Sequence, residues 1–455
     1  MKATSTAQVV VESGGNQVAA HAGLHALGSF ADRLGLGTVI SNAIIRTTRR
    51  LPLHDRGKVM VHLLLLLAGG GESCADIEHL RAQRLLFPDV CSDSTLYRSV
   101  RQLSPEVLAA VEEAVAEIRA RVWHRMPRVW RNEGVLDFDA SLVEIHSEHK
   151  ERTGPTYKGG FGFHPLFCFF DGTGDTLSSM LRPGNAGANK AEDHLQLLDS
   201  AIAAMPWMFQ SGHHRGDDPQ LTRRQLTARA DSAGCTEDFV RGCRERNVGF
   251  SVVARSCRQI HAAISLALDD ESRWQPAVRQ DGELRCGAEV AELTEFCKLS
   301  NWPPGTRLIV RREPRHPGAQ TSLFPSLEYR FWGFYTDRQG DPVELDRFMR
   351  AHAHVEDHIG RLKDAGLERF PFSNFDANSA WLAQVGFAAD LVRWFQLLCL
   401  RGDLRQAEPK ALRWRLWHAP ARLVRSGRRT ILRVLDSWPD ANALLGAHRR
   451  MALLT

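Results

Sequence analysis

At 455 residues, with 43% hydrophobic composition and a net charge of +5, the chain is long enough for two or three folded units and apolar enough to bury their cores, which excludes disorder as the default. The longest apolar run, Val59 to Ala68, is broken by His62 and falls well short of the roughly 20 residues of a membrane span; no signal-peptide pattern follows Lys2, so no membrane and a cytoplasmic setting are expected. Nine cysteines without a C-x-x-C pair exclude a zinc ribbon and a disulfide framework, and residues 401–455 hold 12 Lys and Arg against 4 Asp and Glu, a local excess that points to a polyanion partner.

From about Leu24 to Val122 apolar residues recur at helical spacing, with Ser104 before Pro105 and Glu106 as a helix start. Residues 1–130 are therefore expected to be an all-helical, DNA-binding region. Within it, Glu72 to Leu103 reads as two short helices joined near Phe87-Pro88-Asp89, the second carrying Ser94, Thr95, Tyr97, Arg98 and Arg101. Such a pair fits a helix-turn-helix reader and a plain helical pair equally.

At Val135 the period changes to two, giving a strand with Asp137 and Asp139 on one face. His164 to Phe170 and Thr176 to Arg182, joined by Asp171-Gly172-Thr173-Gly174, form a hairpin. A helix at Lys190 to Ala204, a strand at Leu226 to Ala230 ending on Asp231, a helix at Thr236 to Arg246 and a strand at Gly249 to Ala254 follow. Strand, hairpin, helix, strand, helix, strand is the order of a ribonuclease-H-like mixed sheet, so the fold class is α/β. Residues 131–255 form its first part. A β-rich insertion spans 256–341, with strands at Thr306 to Arg312 and Tyr329 to Thr336. Residues 342–400 return to the core, with helices at Leu345 to Asp364 and Ala377 to Leu400. A basic, helical C-terminal region occupies 401–455.

Asp139 and Asp231 end strands expected to be neighbours, and Glu356 sits on a helix that can lean across them. Three such acids can hold two divalent ions, which is what phosphoryl transfer on DNA requires. Asp137 shares a face with Asp139 and rivals it as a ligand; Asp139 is preferred as nearer the strand end. His352, Glu356 and Lys363 fall near one another at four- and seven-residue spacing, so Lys363 can face a phosphate or simply be solvated. His354-Val355-Glu356-Asp357-His358 puts its acid one place late for the zinc-protease pattern.

Four blocks resemble the DDE transposases of bacterial insertion sequences, and more narrowly the insertion sequence thirteen-eighty family. They are Leu136-Asp137-Phe138-Asp139-Ala140-Ser141-Leu142-Val143; Gly160-Phe161-Gly162-Phe163-His164-Pro165 with Leu181-Arg182-Pro183-Gly184-Asn185-Ala186-Gly187; Arg229-Ala230-Asp231-Ser232-Ala233-Gly234; and His352 through Ile359 with Lys363 and Gly366-Leu367. The tail at Arg413-Trp414-Arg415-Leu416-Trp417-His418 is also similar.

The resemblance implies a ribonuclease-H-like core interrupted by β-strands before the catalytic Glu. It implies Mg²⁺ or Mn²⁺ on Asp139, Asp231 and Glu356, and cut-and-paste movement of an insertion sequence by phosphodiester hydrolysis and strand transfer. Lys363 fits the family's lysine after the Glu, but Met349 and His352 stand where a Tyr and an Arg are expected; Arg350 is a candidate substitute. The partners would be double-stranded DNA, as terminal inverted repeats and target, with a dimer assembled on it in the bacterial nucleoid. A metal-dependent nuclease of the same fold and a domesticated DNA-binding protein are the alternatives. Lys363, His352, Arg350, Arg413, Arg415, Arg428 and Arg429 are the candidate DNA contacts, the tail being either a phosphate-binding segment or an amphipathic helix on the core. Gly184 to Gly187 is either a phosphate-approaching loop or an exit turn, and Trp274, Trp302 and Trp332 are base platforms or core.

Overall fold

The computed structural model describes residues 17–47, 54–127, 129, 133–147, 149–156, 158–315 and 329–454. Strand β1 (Val18–Ala19) precedes six helices: α1 (Ala22–Leu34), α2 (Leu36–Thr47), α3 (Arg56–Ala68), α4 (Ile77–Arg81), α5 (Asp93–Arg101) and α6 (Pro105–His124). Their starts follow local chemistry. The Ser104 hydroxyl accepts from the Val107 N–H at 3.4 Å with Pro105 in the first turn of α6, and Ser92 caps α5 by accepting from Thr95. The connection between α4 and α5, residues 82–92, is far longer than the three- or four-residue turn of a helix-turn-helix unit, and Tyr97 of α5 turns onto Phe372, ring centroids 4.9 Å apart. The pair is a packed helical corner.

The sheet begins with β2 (Gly134–Ala140). Three short strands, β3 (Val143–Glu144), β4 (Gly154–Pro155) and β5 (Phe161–Phe163), make a small sheet of their own. Then come β6 (Leu166–Phe170), β7 (Asp175–Met180), α7 (Ala191–Ala203), the single turn α8 (Trp207–Gln210), β8 (Leu226–Ala230), α9 (Glu237–Arg244) and β9 (Val248–Val253). In space the strands run β7-β6-β2-β8-β9. β6 lies between β2 and β7 and runs antiparallel to both, while β8 runs parallel to β2 and β9 parallel to β8. β6, Leu-Phe-Cys-Phe-Phe, is buried at every position, as a strand covered on both faces must be.

After α10 (Arg258–Leu268), strands β10 (Gln275–Val278), β11 (Leu284–Glu292), β12 (Arg307–Pro314) and β13 (Tyr329–Thr336) extend this sheet. β13 pairs with β9, Phe334 opposite Val253, so the result is one nine-stranded mixed sheet. A second apolar cluster, with Val290, Ile309 and Phe334 against Val343, Leu345 and Met349, seats α11 (Pro342–Arg350) on the added strands. The expected single helix from Leu345 to Asp364 is broken: α11 ends at Arg350, Ala351–Ala353 form a 3₁₀ turn, and α12 (His354–Leu362) starts anew. α13 (Phe375–Cys399) is apolar all round and packs on α3, β7 and α1, which marks it as a core helix.

Past the single turn α14 (Pro409–Leu412) the expectation of a helical tail fails. Residues 421–434 form a hairpin, β14 (Ala421–Ser426) and β15 (Arg429–Val434), before α15 (Ala441–Met451) closes the described chain. The alternation Leu423, Arg425 against Arg422, Val424, with Gly427 at φ 58 in the turn, is strand chemistry. β1 adds to β14, Val18 opposite Arg422, so the N-terminal region is not all-helical either. Among the described residues no helix is long and apolar enough to cross a membrane.

Candidate active site

Asp139 and Asp231 come together because β2 and β8 are adjacent and parallel, Phe138 opposite Ala230, so both strands deliver an acid at the same end of the sheet. Crevices beyond the carboxyl ends of parallel strands are where such folds place ligands. Asp231 closes its own turn by accepting the Ala233 N–H at 2.8 Å, after which Thr236 caps α9 by accepting from Phe239 at 3.2 Å. Asp139, half-buried, accepts the Ala140 N–H at 2.7 Å. Burial pushes its carboxyl up to about 6, the Ala140 bond opposes this, repulsion from Asp231 adds to it, His352 opposes, and repulsion from Glu356 adds again. The three acids thus share one electrostatic neighbourhood. Glu356 is exposed in the first turn of α12. Their carboxylates are not closed on a common point, for among the described residues no three His, Cys, Asp or Glu side chains are gathered as a metal cage.

Asp137 has another role. Fully buried, it accepts from Arg229 Nε at 2.8 Å and Nη2 at 2.7 Å, and His352 Nδ1 lies 2.8 Å from its Oδ1. Arg229 in turn donates to the Phe348 carbonyl at 2.7 Å and pairs with Asp171 at 3.0 Å, which meets His354 at 3.3 Å. Asp137 lies two residues before Asp139, Arg229 two before Asp231, and His352 four before Glu356. The buried Arg229 guanidinium therefore joins β2 to β8 directly and reaches the start of α12 through Asp137–His352 and Asp171–His354. Both its charge and its donors are matched, as a buried charge requires. Burial holds His358, packed on Phe169 with ring centroids 5.3 Å apart, down to about 4.

The other expected contacts divide. Lys363 is exposed and, with Glu356, lines a cleft of about 600 Å³ shared with Gly70, Arg361 and Lys410. Arg350 is committed to Asp346 at 2.8 Å and to the Val278 carbonyl. Arg413 turns inward onto the carbonyls of Ala68 and Asp364, and Arg415 is clamped by Asp403 at 2.6 Å and Asp440 at 2.9 Å. Arg428 and Arg429 are exposed at the hairpin turn. Trp274 stacks under Arg312 at 4.5 Å, Trp302 on Tyr335 at 4.3 Å, and Trp332 under Arg311 at 4.8 Å, so all three serve packing. A Cβ on Gly184 would sit 2.5 Å from the Gly154 carbonyl oxygen, so this glycine is needed to pass the small sheet. Arg229, Asp171 and His354 were not singled out from sequence as a unit; the signal was the repeat of spacing, Asp-x-Asp on one strand and Arg-x-Asp on the next.

The family model for the transposase DDE domain, group 1, matches residues 1–455. Among solved structures, the chain is similar to a cryo-EM structure of the piggyBac transposase synaptic complex with hairpin DNA, at 10% identity and a TM-score of 0.41, covering 88% of this chain and 80% of that one. No curated protein matches it.

Proposed function

The chain belongs to the group 1 family of DDE transposase domains and is a DNA transposase, and from that premise we propose that Asp139, Asp231 and Glu356 are its catalytic triad, acting within a ribonuclease-H-like core. The strand order β7-β6-β2-β8-β9, with the last two parallel to the first, supports that core. The observation that carries the triad is the adjacent parallel pairing of β2 and β8, Phe138 opposite Ala230, which brings Asp139 and Asp231 out at one end of the sheet.

The donor set fits Mg²⁺ or Mn²⁺: all three side chains offer hard oxygens, and a bound cation would favour the charged form of Asp139, which burial first and repulsion from Asp231 and Glu356 after it disfavour. When bound, two such ions would lower the cost of charge on the attacking and leaving oxygens of the phosphodiester. Asp139 and Asp231 present carboxylates from a rigid sheet edge. Glu356 supplies the third from α12, held in place by the His352 and Arg229 contacts behind it. Lys363, in the same cleft as Glu356, offers a cation to a DNA phosphate. Hydrolysis adds water across the scissile bond and leaves a 3′-hydroxyl on the element end; strand transfer exchanges that hydroxyl for the 3′-oxygen of the target strand, with no covalent protein intermediate. The DNA would be the terminal inverted repeats of a bacterial insertion sequence and its target, brought together by a dimer. Residues 1–130 and 401–455 flank the core as DNA-contacting regions, with 256–341 inserted before Glu356.

An end-labelled DNA assay in Mg²⁺ or Mn²⁺, run with flanking DNA as substrate, tests this. Asp139→Asn, Asp231→Asn and Glu356→Gln should each bind DNA yet give neither cut nor joined product. Variants that match wild type would remove the triad, and cuts without joined product in wild type would make the protein a nuclease.

A further inference from the structure

Residues 421–434 contain five arginines and no acid. The register of β14 and β15 sorts them onto faces. Ala421, Leu423, Leu432 and Val434 pair across the strands and pack on the core. The opposite face presents Arg422 opposite Arg433, Val424 opposite Ile431, and Ser426 opposite Arg429, with Arg428 in the turn. All of the arginines are exposed, and none forms an ion pair with a described residue. This contrasts with Arg413 and Arg415 a few residues earlier, whose guanidinium groups are used up inside the fold.

Arg422 directly opposite Arg433 is the informative pair. Like charges in register across an antiparallel ladder destabilise it, and a single acid at either place would remove the penalty. A fold that keeps the repulsion, on a face already turned away from the core, is arranged for a ligand that supplies the missing negative charge along a line. The sheet is three strands wide, and on its outer face the cations stand at both ends of the hairpin, Arg422 and Arg433 at one and Arg428 and Arg429 at the other, with Val424 and Ile431 between.

We infer that the outer face of this hairpin is a docking ribbon for the phosphate backbone of duplex DNA, separate from the triad. The inference rests on DNA being the substrate. Arg422, Arg429 and Arg433 face the backbone, and Arg428 reaches it from the turn.

The test uses the full chain and a short random-sequence duplex, with affinity measured against salt concentration in EDTA, so that the outcome is independent of metal and catalysis. Replacing Arg428, Arg429 and Arg433 together by Gln should lower the slope of log affinity against log salt by about two to three, one for each lost phosphate contact. Arg422→Glu gives the sharper result, because it places opposite charges across the ladder. It should raise the melting temperature while weakening duplex binding by tenfold or more, a pairing of opposite signs that a purely structural arginine does not produce. Wild-type slope and affinity in both variants would overturn the ribbon, as would loss of binding to anionic vesicles with duplex binding intact. Failure of the triad reading would appear separately, since Asp139→Asn with an intact ribbon should bind the duplex in EDTA as wild type does.

Discussion

Arg229 is the residue on which the geometry of the site turns. Its removal leaves Asp137 as a buried carboxylate with only His352 beside it, so Arg229→Met should cost about 3–5 kcal/mol of stability in urea unfolding, the usual penalty for stranding one partner of a buried pair. Replacing the pair together, with Arg229→Met and Asp137→Leu, should recover most of that stability and yet leave DNA cleavage depressed, because the turn leading into α12 has lost the His352–Asp137 contact. His358 makes a different prediction. Its folded value of about 4 lies below the ordinary 6.5, with burial as the main cause. The folded protein therefore holds this imidazole neutral. Its contribution is fully present above about pH 6.5 and is lost as pH falls toward 4, amounting to at most about 3 kcal/mol at 1.36 kcal/mol per unit. Melting curves of His358→Leu against wild type should converge across that window as acid is added, and parallel curves would show that the ring is not buried neutral. That Asp139 and Asp231 close neighbouring strands was legible from alternation and strand ends. What Asp137 does was not, since period-two spacing puts 137 and 139 on one face and is silent about which of them meets an arginine from the next strand.

At the level of elements, local signals located the strands and failed where tertiary ties decide. β8 and β13 fall on the expected residues, and α7 and α9 lie within a residue or two of theirs. The break between α11 and α12 has no breaker residue in it. Helical periodicity runs straight through Ala351–Ala353, where the backbone stays right-handed helical and only tightens to a 3₁₀ turn, flanked by Arg350 bonded to Asp346 on one side and by His352 and His354 on Asp137 and Asp171 on the other. The hairpin in the tail was readable, because Gly427-Arg428 stands between two alternating runs, although arginines on both strands mask their apolar alternation. Gly427, at φ 58, occupies backbone that a branched residue reaches only at a cost of about 1–2 kcal/mol. Gly427→Val should accordingly lower the melting temperature by a few degrees and weaken duplex binding, whereas Gly427→Asn should do neither to the same degree.

At the scale of the molecule, the helices and the sheet share one core. Arg119 of α6 meets Asp175 of β7 at 3.4 Å and Asp390 of α13 at 2.9 Å, all three buried, while Trp123 and Trp394 donate to Asp175 at 2.7 and 3.1 Å. Burial, and then repulsion from Asp175, raises the Asp390 carboxyl. Arg119→Met would strand two acids at once, and unfolding should become less cooperative as well as easier, with the helices of residues 22–124 loosening from the sheet. Such long-range ties are invisible to periodicity, as is the pairing of β13 with β9 that merges the inserted strands into the main sheet. The same holds for the junction of the two ends of the described chain, where Val18 pairs with Arg422, the Ala22 N–H donates to the Ala419 carbonyl at 3.2 Å, and Gly23 lies so close to Leu416 that no Cβ would fit. One side of α1 rests on α2 and α3, made directly after it, and the other on α13, Arg413–Trp417 and α15, made more than three hundred residues later. The nascent chain therefore carries a half-covered helix until those segments emerge, and a product cut short ahead of Leu416 would leave that second side bare.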